Sequence, residues 1–585
     1  MSEHLRTLLR ALEAERAWQE AEHRRLLALP WDERVAAGLS WPPLRELERR
    51  EVRRGYELLL SSQHALHEGI GPGEPVKLAP LSNPRIGVEG MVLDVDPTAA
   101  VVQLREAPTF GEPYAVTRRF DDLSFRRFAE ALQTAESLDS PLKDALLDPQ
   151  PLAEPPSVTL PDLDPAQLIA ASHALDASRS LALIHGPPGT GKTFLLARVL
   201  QALAQNDRPW ALADSNAAVD NLAVAAAGRG LDVLRLGHPA RIGAAARHLS
   251  LHHRLQNGGF AKALQLLDRD IVRGRQRGER IGPLFRERRE LSRRARRQEI
   301  ENAQVLACTF GSLARLAPEL PPPVTAVVDE ATQAIEPAVW TCVPYVQRLV
   351  LVGDPHQLGP VVMQPGNPLQ TSLLQRLVEA RIELPMLEVQ HRMREELAEL
   401  VRPTYGQRWR THPLAAAQSV PRGVDACPAV WVDTAGAGLD ERRDPVTASL
   451  YNLGEARLVQ GLVRRLLQAG LPPDDLGVIA PYSAQIRRLR ELLPQVEVAT
   501  VNAFQGREKP VIVCSFVRSN PDGELGFVSD ARRLTVATTR ARRQWIGVGD
   551  ASTLASSPDF ERLFAQLEAG GAWRSVWEPP YSDWV

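Results

Sequence analysis

The pattern of hydrophobic and polar positions changes twice along the chain. Between Leu5 and Leu12, leucines recur at the spacing of one helix face and lead into a charged stretch, which predicts helices. Residues 75–118 alternate valine and leucine with polar residues around an Asp-Pro step, which predicts the hairpins of a small β-barrel. From Leu181 onward, short apolar runs each end in a glycine, an aspartate or a polar turn, as buried strands of a parallel sheet do.

These apolar runs form two groups. Four of them, LALIHG, QVLACT, AVVDEA and LVLVGD, come before residue 355, and three more, GVIAPY, VIVCSF and WIGVGD, come after residue 476. Helical segments lie between the runs, and more than 100 residues separate the two groups. The chain from about residue 165 is therefore predicted to be α/β with two parallel sheets. Functional residues are expected just past the carboxyl ends of the strands.

The same changes of pattern predict the domain organisation. Residues 1–74 are expected to form a helical stalk, with an ordinary packed helical hairpin as the alternative. The other expected units are a small β-barrel accessory domain at 75–118, a helix and Pro-rich linker at 119–160, a first sheet domain at 161–365 and a second at 366–585. A polar, Arg-rich stretch at about 238–302 is predicted to be a helical insertion in the first sheet domain.

Composition excludes several classes of protein. At 585 residues the chain is too long for one core. No apolar run approaches the 18 residues of a membrane span, and the charged start does not resemble a secretory signal, so a cytoplasmic protein without membrane attachment is expected. The cysteines stand far apart, at Cys308, Cys342, Cys427 and Cys514, which argues against disulfides and against a structural zinc site.

Charge is balanced overall but not locally. The net charge of −2 by itself predicts no nucleic-acid partner. Between Arg273 and Arg297, however, eleven arginines stand against three glutamates, a local excess of +8. Such a segment can attract a nucleic-acid strand in a salt-dependent way, and a solvated helical pair balanced by acidic neighbours is the alternative.

A phosphate-binding motif follows the first apolar run. The segment GPPGTGKT fits the pattern G-x-x-x-x-G-K-[ST] and lies between a predicted strand and a predicted helix. Its glycines let backbone N–H groups approach phosphates, and the helix N-terminus adds partial positive charge. Lys192 is expected at the β- and γ-phosphates of ATP, and Thr193 at Mg²⁺. The expected nucleotide-binding residues here are Gly186, Pro187, Pro188, Gly189, Thr190, Gly191, Lys192, Thr193 and Phe194.

Two adjacent carboxylates end the run AVVDEA. Asp329 is expected to hold Mg²⁺, and Glu330 to polarise the attacking water as general base. A solvated strand end is the alternative for this pair taken alone. Together with the phosphate-binding motif, the pair predicts an enzyme that hydrolyses ATP.

Five further segments occur in a fixed order: DEATQ at 329–333, GDPHQLGP at 353–360, QHRM at 390–393, TVNAFQGRE at 500–508 and RRLTVATTRAR at 532–542. Together they resemble the ordered motifs of superfamily 1 helicases, in the 5′-to-3′ branch that contains the nonsense-mediated-decay RNA helicase and the immunoglobulin-mu-binding helicase. The resemblance covers about residues 160–550. It implies two tandem RecA-like domains, with the N-terminal and inserted segments similar to the stalk and to accessory domains 1B and 1C.

The resemblance also implies roles around ATP. Gln357 is similar to the residue that couples the γ-phosphate to the strand-binding surface, and Arg392 and Arg540 match two arginines that approach the γ-phosphate from the second domain. Their physical role is to neutralise charge in the transition state. DEAT and ATTRAR depart from the more usual DEAS and ALTRA, but Arg540 is kept.

On the adenosine side, the resemblance implies three contacts. Gln167 matches a glutamine that reads adenine, with a surface capping role as the alternative. Tyr405 matches a tyrosine that stacks on adenine, with a core position as the alternative. Glu508, after the Gly506 turn, is expected to touch the ribose or to order the arginines.

Loops after the strands are expected to hold the nucleic-acid strand. Hydroxyls and backbone N–H groups suit phosphates and sugars, and an aromatic ring at Tyr482 could stack on a base. An ordinary helix cap or turn is the alternative for each position alone. The expected strand-binding residues are Ser215, Asn216, Thr309, Gly359, Pro360, Pro481, Tyr482, Thr500, Ser519 and Asn520.

These features predict a monomeric, ATP- and Mg²⁺-dependent helicase or translocase that moves 5′ to 3′ on single-stranded nucleic acid. DNA is favoured over RNA because the zinc domain of the decay helicase is missing. The alternative is an ATPase stimulated by nucleic acid that clamps strands or displaces proteins without unwinding a duplex. An ATPase acting on a small molecule would leave Arg392 and Arg540 without a role.

Overall fold

The computed structural model describes residues 2–52, 55–64, 66, 69–83, 86–96, 98–150, 154–277, 281–380, 382, 384–423 and 425–584. The chain opens with two helices, α1 (Glu3–Leu27) and α2 (Trp31–Ala36). Ser2 caps α1 by accepting a hydrogen bond from Leu5 N. The apolar face of α1 includes Leu8 and Leu12, which lie in one hydrophobic cluster with the first sheet domain. The N-terminal part of α1 is therefore packed on the first sheet domain.

The expectation of a helical stalk through residue 74 is wrong beyond Ala36. Residues 45–61 instead form two antiparallel strands, β1 (Arg45–Val52) and β2 (Gly55–Ser61). On β2, Leu58 and Leu60 point inward and alternate with half-buried residues, which is the period of a strand. Strand β1 faces solvent and is almost entirely charged. Its sequence therefore lacks the alternation of apolar and polar residues that identifies a strand.

These two strands belong to the barrel, which begins well before residue 75. Four more strands complete it: β3 (Pro75–Pro80), β4 (Val88–Asp96), β5 (Ala99–Leu104) and β6 (Tyr114–Arg118). The order is β1-β2-β5-β4-β3-β6, and all paired neighbours are antiparallel. Bridges from Ser40 and Leu44 to β6 bring the two edges of the sheet together. Trp41, Leu58 and Val102 are among the side chains that fill the interior.

The segment after the barrel joins it to the first sheet domain. It contains two helices, α3 (Leu123–Glu136) and α4 (Pro141–Leu147). Phe128 and Leu132 on α3 and Leu142 and Leu146 on α4 pack in the same cluster as α1. The expected single helix is thus two helices, and both are part of the domain 1 core.

Domain 1 is a six-stranded parallel sheet in the order β7-β12-β11-β8-β10-β9. Leu183 and Leu351 face the cluster that contains α1, while Ile184 and Val350 face a second cluster on the opposite side. Burial on both faces explains why these strands read as continuous apolar runs. The strands are β7 (Leu181–His185), β8 (Trp210–Ala213), β9 (Val233–Arg235), β10 (Val305–Thr309), β11 (Thr325–Val328) and β12 (Arg348–Gly353).

The helices of domain 1 cover both faces of the sheet and form the insertion. Those around the sheet are α5 (Pro165–Leu175), α6 (Lys192–Leu203), α7 (Asn216–Ala227), α11 (Phe310–Leu316) and α12 (Glu336–Val339). The insertion between β9 and β10 contains α8 (Leu251–Asn257), α9 (Ala261–Gln276) and α10 (Gly282–Asn302). The Arg-rich stretch is therefore mostly α10 and the end of α9.

The expected boundary at 365/366 falls inside the domain 1 core. Helix α13 (Leu373–Glu379) places Leu373, Leu374 and Leu377 in the same cluster as α1. Leu387 packs with Ile184 beneath β7. Because these buried leucines belong to the domain 1 core, the chain leaves that domain close to residue 388 rather than 366.

Domain 2 is a second six-stranded parallel sheet, in the order β19-β18-β20-β21-β15-β22. Ile512 and Val513 on its central strand face opposite clusters, so this sheet is also buried on both faces. Its strands are β15 (Ala429–Asp433), β18 (Leu476–Ala480), β19 (Glu497–Thr500), β20 (Lys509–Ser515), β21 (Ala541–Gly549) and β22 (Trp573–Ser575), and its two small ladders pair β13 (Val389–Gln390) with β14 (Arg410–Thr411) and β16 (Arg442–Arg443) with β17 (Leu450–Tyr451).

The helices of domain 2 flank this sheet. They are α14 (Glu395–Tyr405), α15 (Pro413–Ala416), α16 (Leu453–Gln468), α17 (Ser483–Leu492), α18 (Ala531–Thr538), α19 (Ala551–Leu554) and α20 (Pro558–Ala569). Within the ranges described above, no helix is long and apolar enough to cross a membrane. The same ranges contain no cluster of three or more histidine, cysteine or acidic residues that could hold a metal ion by themselves.

Packing of α1 against domain 1 gives a stability prediction. Leu12 is fully buried, so Leu12→Ala removes apolar contacts and leaves a cavity that costs about 2–5 kcal/mol. We expect a lower urea midpoint for this variant. Leu266→Ala, at an exposed helical leucine, is the matched control and should change little. Equal midpoints for the two variants would mean that α1 does not pack in solution as described.

Candidate active site

The phosphate-binding loop connects β7 to α6. Gly189 and Gly191 have φ angles of 73° and 77°, in the left-handed region that glycine adopts without strain. A Cβ at Gly186 would collide with the side chain of Lys192, so this position also requires glycine. Lys192 Nζ donates to Gly186 O at 2.8 Å and is thereby held over the loop.

The acidic pair follows β11 and faces this loop. Thr193 Oγ1 lies 3.4 Å from Asp329 Oδ2, and Lys192 Nζ lies 4.0 Å from Glu330 Oε1. Glu330 has a φ of 51°, which costs a non-glycine residue on the order of 1 kcal/mol, and its carboxylate accepts from Gln333 Nε2 at 3.0 Å. A strained backbone held by its surroundings is typical of a functional site.

A bound cation would stabilise the ionised form of the Asp329 carboxyl. Burial raises its pKa to about 7, and the neighbouring Glu330 carboxylate contributes to that rise, while Lys192 opposes the shift. With Thr193, Asp329 presents hard oxygen donors, of the kind that Mg²⁺ takes when it is shared with substrate phosphates. The residues present therefore fit the expected Mg²⁺ ion.

Domain 2 supplies two arginines to the other side of the cleft. Arg392 pairs with Glu508 and donates to Thr539 O at 3.2 Å. Arg540 is 2% exposed and donates through Nη2 to Gln357 Oε1 at 3.1 Å. Burial, and then the charge of Arg392, lower the pKa of Arg540 to about 9. Two guanidinium groups placed this way form a site for a strongly charged anion.

A cavity of about 270 Å³ lies between the two sides. It brings together most of the predicted site: Pro188, Gly189, Thr190, Gly191, Lys192, Thr193, Phe194, Asp329, Glu330, Gln357, Arg392, Gly506, Glu508 and Arg540. Gly186 and Pro187 form the start of the loop beneath it. The cleft thus joins cationic and acidic side chains from domain 1 with two arginines from domain 2.

The two residues predicted to contact adenine, Gln167 and Tyr405, do not line this cavity. Gln167 closes a capping box at the start of α5, where its amide accepts from Asp164 N at 3.2 Å and donates to Thr190 O at 3.2 Å. Gln167 therefore does cap α5, but it is buried, at 5% exposed, and contacts the phosphate-binding loop, so it is not the surface residue of the capping alternative. Its contact with adenine stays a prediction. The prediction that Tyr405 stacks on adenine is wrong: its ring is 6% exposed, and its hydroxyl donates to Asp354 Oδ2 at 2.8 Å.

His391 is a lining residue that the sequence analysis missed. Its backbone N donates to Gly189 O at 2.8 Å, so it sits directly on the phosphate-binding loop. Its ring stacks on His412 with centroids 4.5 Å apart. The sequence did contain an indication: His391 directly precedes Arg392 in QHRM, so a ring close to the same cleft could have been predicted.

Several predicted strand-binding residues of domain 1 have local structural roles. Ser215 caps α7 and also lines the nucleotide cleft. Asn216 accepts from Arg235 Nη2 at 2.9 Å, and Thr309 caps α11. Gly359 and Pro360 follow β12, and Gly359 lies close to the Gln370 carbonyl. Their positions after strand ends agree with the expectation, but their hydrogen bonds are those of caps and turns.

The domain 2 members follow the same rule. Thr500 accepts from Ala503 N, and Ser519 Oγ donates to Asp550 Oδ2 at 2.8 Å. Asn520 Nδ2 donates to Glu524 O at 2.9 Å. Thr500 is the last residue of β19, Pro481 follows β18, and Ser519 and Asn520 follow β20.

The prediction that Tyr482 stacks on a base is wrong. The residue is 5% exposed, and its ring is covered by Phe527, with centroids 4.4 Å apart. Phe527 itself is 42% exposed and carries the outer aromatic surface at this point. Burial beside β18 explains why the tyrosine serves the core instead.

Comparison with known proteins gives the family. Two models, each described as an AAA domain, match residues 162–365, in two overlapping parts, and 369–552. The chain is 34% identical to DNA-binding protein SMUBP-2 of Mesocricetus auratus, over 80% of this chain and 51% of that protein. It is 30% identical to the DNA polymerase alpha-associated DNA helicase A of Saccharomyces cerevisiae, over 74% of this chain and 73% of that protein.

A third relative is the regulator of nonsense transcripts 1 homolog of Neurospora crassa, 34% identical over 70% of this chain and 39% of that protein. The chain therefore belongs to the superfamily 1 helicases, in the group of these three relatives. It spans about half the length of the SMUBP-2 relatives that it matches.

The position of His391 gives a binding prediction. A ring stacked on the nucleotide base contributes about 1 kcal/mol, so His391→Ala should raise the Kd for a fluorescent ATP analogue by about fivefold. His248→Ala, at an exposed histidine, is the matched control and should leave the Kd unchanged. An unchanged Kd for His391→Ala would exclude a stacking role for this ring.

Proposed function

We propose that this chain is an ATP-driven motor that moves 5′ to 3′ along single-stranded nucleic acid and separates duplexes. The observation that carries the proposal is the contact between Gln357 of domain 1 and Arg540 of domain 2, at the edge of the cavity that Lys192 also lines. A ligand in this cavity touches both domains. Its binding therefore favours their closure, and its hydrolysis removes that preference.

The chain's own residues suit hydrolysis of a triphosphate. Lys192 on one side, and Arg392 and Arg540 on the other, neutralise charge on the terminal phosphate oxygens. Glu330 is placed to take a proton from water, since its carboxylate lies in the cleft and is oriented by Gln333. Bound Mg²⁺, held by Thr193 and Asp329, supplies further charge neutralisation.

The strand is proposed to lie across the carboxyl ends of the strands in both sheets, where Ser215, Thr309, Thr500 and Ser519 are found. Hydroxyl groups and loop amides there suit phosphates and sugars, which carry no sequence information. Alternate opening and closing of the cleft would move these loops relative to one another along a strand. The direction of movement is inferred from the motif resemblance.

DNA is the proposed substrate rather than RNA. Two relatives that align over at least 74% of this chain are named a DNA-binding protein and a DNA helicase. The relative named for nonsense transcripts aligns over less of it, 70%. The deciding experiment measures ATP hydrolysis with matched single-stranded DNA and RNA oligonucleotides.

The same preparation tests unwinding. Forked duplexes with a 5′ or a 3′ loading strand separate the two polarities, and a protein-displacement assay runs beside them. Displacement without strand separation would favour the alternative of a remodelling ATPase. Failure of every oligonucleotide to stimulate hydrolysis would contradict both.

Two active-site substitutions have defined outcomes. Glu330→Gln removes the proton acceptor and should lower the kcat for ATP by about 100-fold or more, while nucleotide binding is retained. Lys192→Ala should abolish turnover and also weaken ATP binding, because the loop loses its cation. Stimulated ATP turnover and the Kd for a fluorescent analogue are measured for each variant.

Glu561→Gln, at an exposed position of helix α20, is the matched control and should keep wild-type turnover. Strand affinity, measured by fluorescence anisotropy, should stay within about threefold for all three variants because none of the three substituted residues belongs to the proposed strand-binding set. Wild-type turnover in Glu330→Gln would remove this carboxylate from the proposed chemistry.

A further inference from the structure

A buried carboxylate, Asp354, lies behind the nucleotide cleft at the end of β12. It is fully buried and accepts four hydrogen bonds. Its Oδ1 accepts from His185 Nε2 at 3.1 Å and from the backbone N of His356 at 3.0 Å. Its Oδ2 accepts from Gln357 Nε2 at 2.7 Å and from the Tyr405 hydroxyl at 2.8 Å. A carboxylate has about four acceptor positions, so these four donors saturate it.

Asp354 is ionised in this setting. Burial alone would raise its pKa, but the hydrogen bond and charge of His185, the charge of Lys192 and the hydrogen bond from Gln357 lower it to about 2. Burial and the Asp354 charge raise the pKa of Tyr405 well above its usual range, so the phenol remains a donor. An ionised carboxylate accepts hydrogen bonds and donates none.

This property determines the orientation of Gln357. An amide presents NH₂ on one side and oxygen on the other, and the side that faces Asp354 must be NH₂. The oxygen therefore faces Arg540, which donates to it at 3.1 Å. If the amide were reversed, its NH₂ would face the guanidinium and its oxygen would face the carboxylate. Two donors would then meet on one side and two acceptors on the other, in a buried space where each lost hydrogen bond is costly.

We propose that Asp354 is a positioning residue that fixes the amide of Gln357 and so holds Arg540 toward the terminal phosphate. Tyr405 belongs to α14 of domain 2, so this carboxylate also joins the two domains behind the cleft. His185 ends β7 directly before the phosphate-binding loop, and its ring ties that strand to the same group. The inference rests on the proposed hydrolysis of ATP, but not on which nucleic acid is used.

The test exchanges the hydrogen-bond donor and acceptor between residues 354 and 357. Asp354→Asn replaces one acceptor oxygen with NH₂, so the Gln357 amide must turn and repel Arg540. Gln357→Glu alone places two carboxylates side by side. Each single variant should lower the kcat for ATP by about tenfold or more, with KM for ATP changed by less than about threefold.

The double variant, Asp354→Asn with Gln357→Glu, restores compatible partners. The NH₂ of the introduced asparagine can donate to the new carboxylate and to the Tyr405 hydroxyl, while its oxygen still accepts from His185 and His356. The second oxygen of the introduced glutamate accepts from Arg540. We expect the kcat of the double variant to be at least about fivefold higher than that of either single variant, because the two substituted residues are coupled neighbours.

Asp176→Asn is the matched control, because Asp176 is a buried aspartate that caps a turn of domain 1 away from the cleft. It should keep wild-type turnover. If Asp354→Asn turns over ATP normally, or if the double variant is no better than both singles, the positioning role is refuted. A merely structural role predicts additive losses.

Turnover is measured first without nucleic acid, which separates this inference from the proposed function. A wild-type chain that hydrolyses ATP but ignores every strand would contradict the motor and leave the comparison of variants intact. Melting temperatures provide a second readout that needs no turnover: the double variant should melt above both singles. If Asp354→Asn does not fold, the turnover and melting temperature of Gln357→Glu are compared with those of the double variant, which tests the same coupling.

Discussion

One electrostatic constraint governs the arrangement of the two domains. Lys192, Arg392 and Arg540 converge on a single cleft from opposite sides, and like charges in a poorly hydrated space repel one another. Glu330 and Glu508 offset part of this charge, one from each domain. A polyanion placed among the three cations lowers the free energy of the closed arrangement much further. Closure of the domains and binding of a triphosphate are therefore one coupled equilibrium.

The fold places these charges by a simple rule. Both sheets are parallel and buried on both faces, so polar side chains gather where the strands end. The phosphate-binding loop follows β7, the acidic pair follows β11, and Asp354 follows β12. Strand β12 lies between β7 and β11 in the sheet, so the three sites are close together. Helix α1 and the segment after the barrel pack on the far side of the same sheet, which stiffens the platform without entering the cleft.

The sequence predicted those features that depend on local pattern. The apolar runs predicted both sheets, and the motifs around Lys192 and Asp329 predicted the domain 1 side of the cleft. The domain 2 side, with Arg540, was implied by the resemblance to helicase motifs. Features that depend on contacts between residues far apart in the sequence could not be predicted from it. Tyr405 looks the same in sequence whether it faces solvent or Asp354, which lies 51 positions away. Strand β1 reads as charged helix because its exposed face is polar, and only its pairing with β2 identifies it as a strand.

His185, the last strand residue before the loop in LIHGPPGTGKT, illustrates why the local sequence pattern was insufficient to predict the site. His185 belongs to the strand that carries the phosphate-binding loop, yet its ring holds the carboxylate that orients Gln357. The loop that receives phosphate and the amide that faces Arg540 are thus fixed to one buried charge. Because that charge also accepts from Tyr405 of domain 2, displacement of either domain strains the same hydrogen-bond set. Nucleotide binding and domain position therefore share a physical link that does not pass through the nucleotide itself.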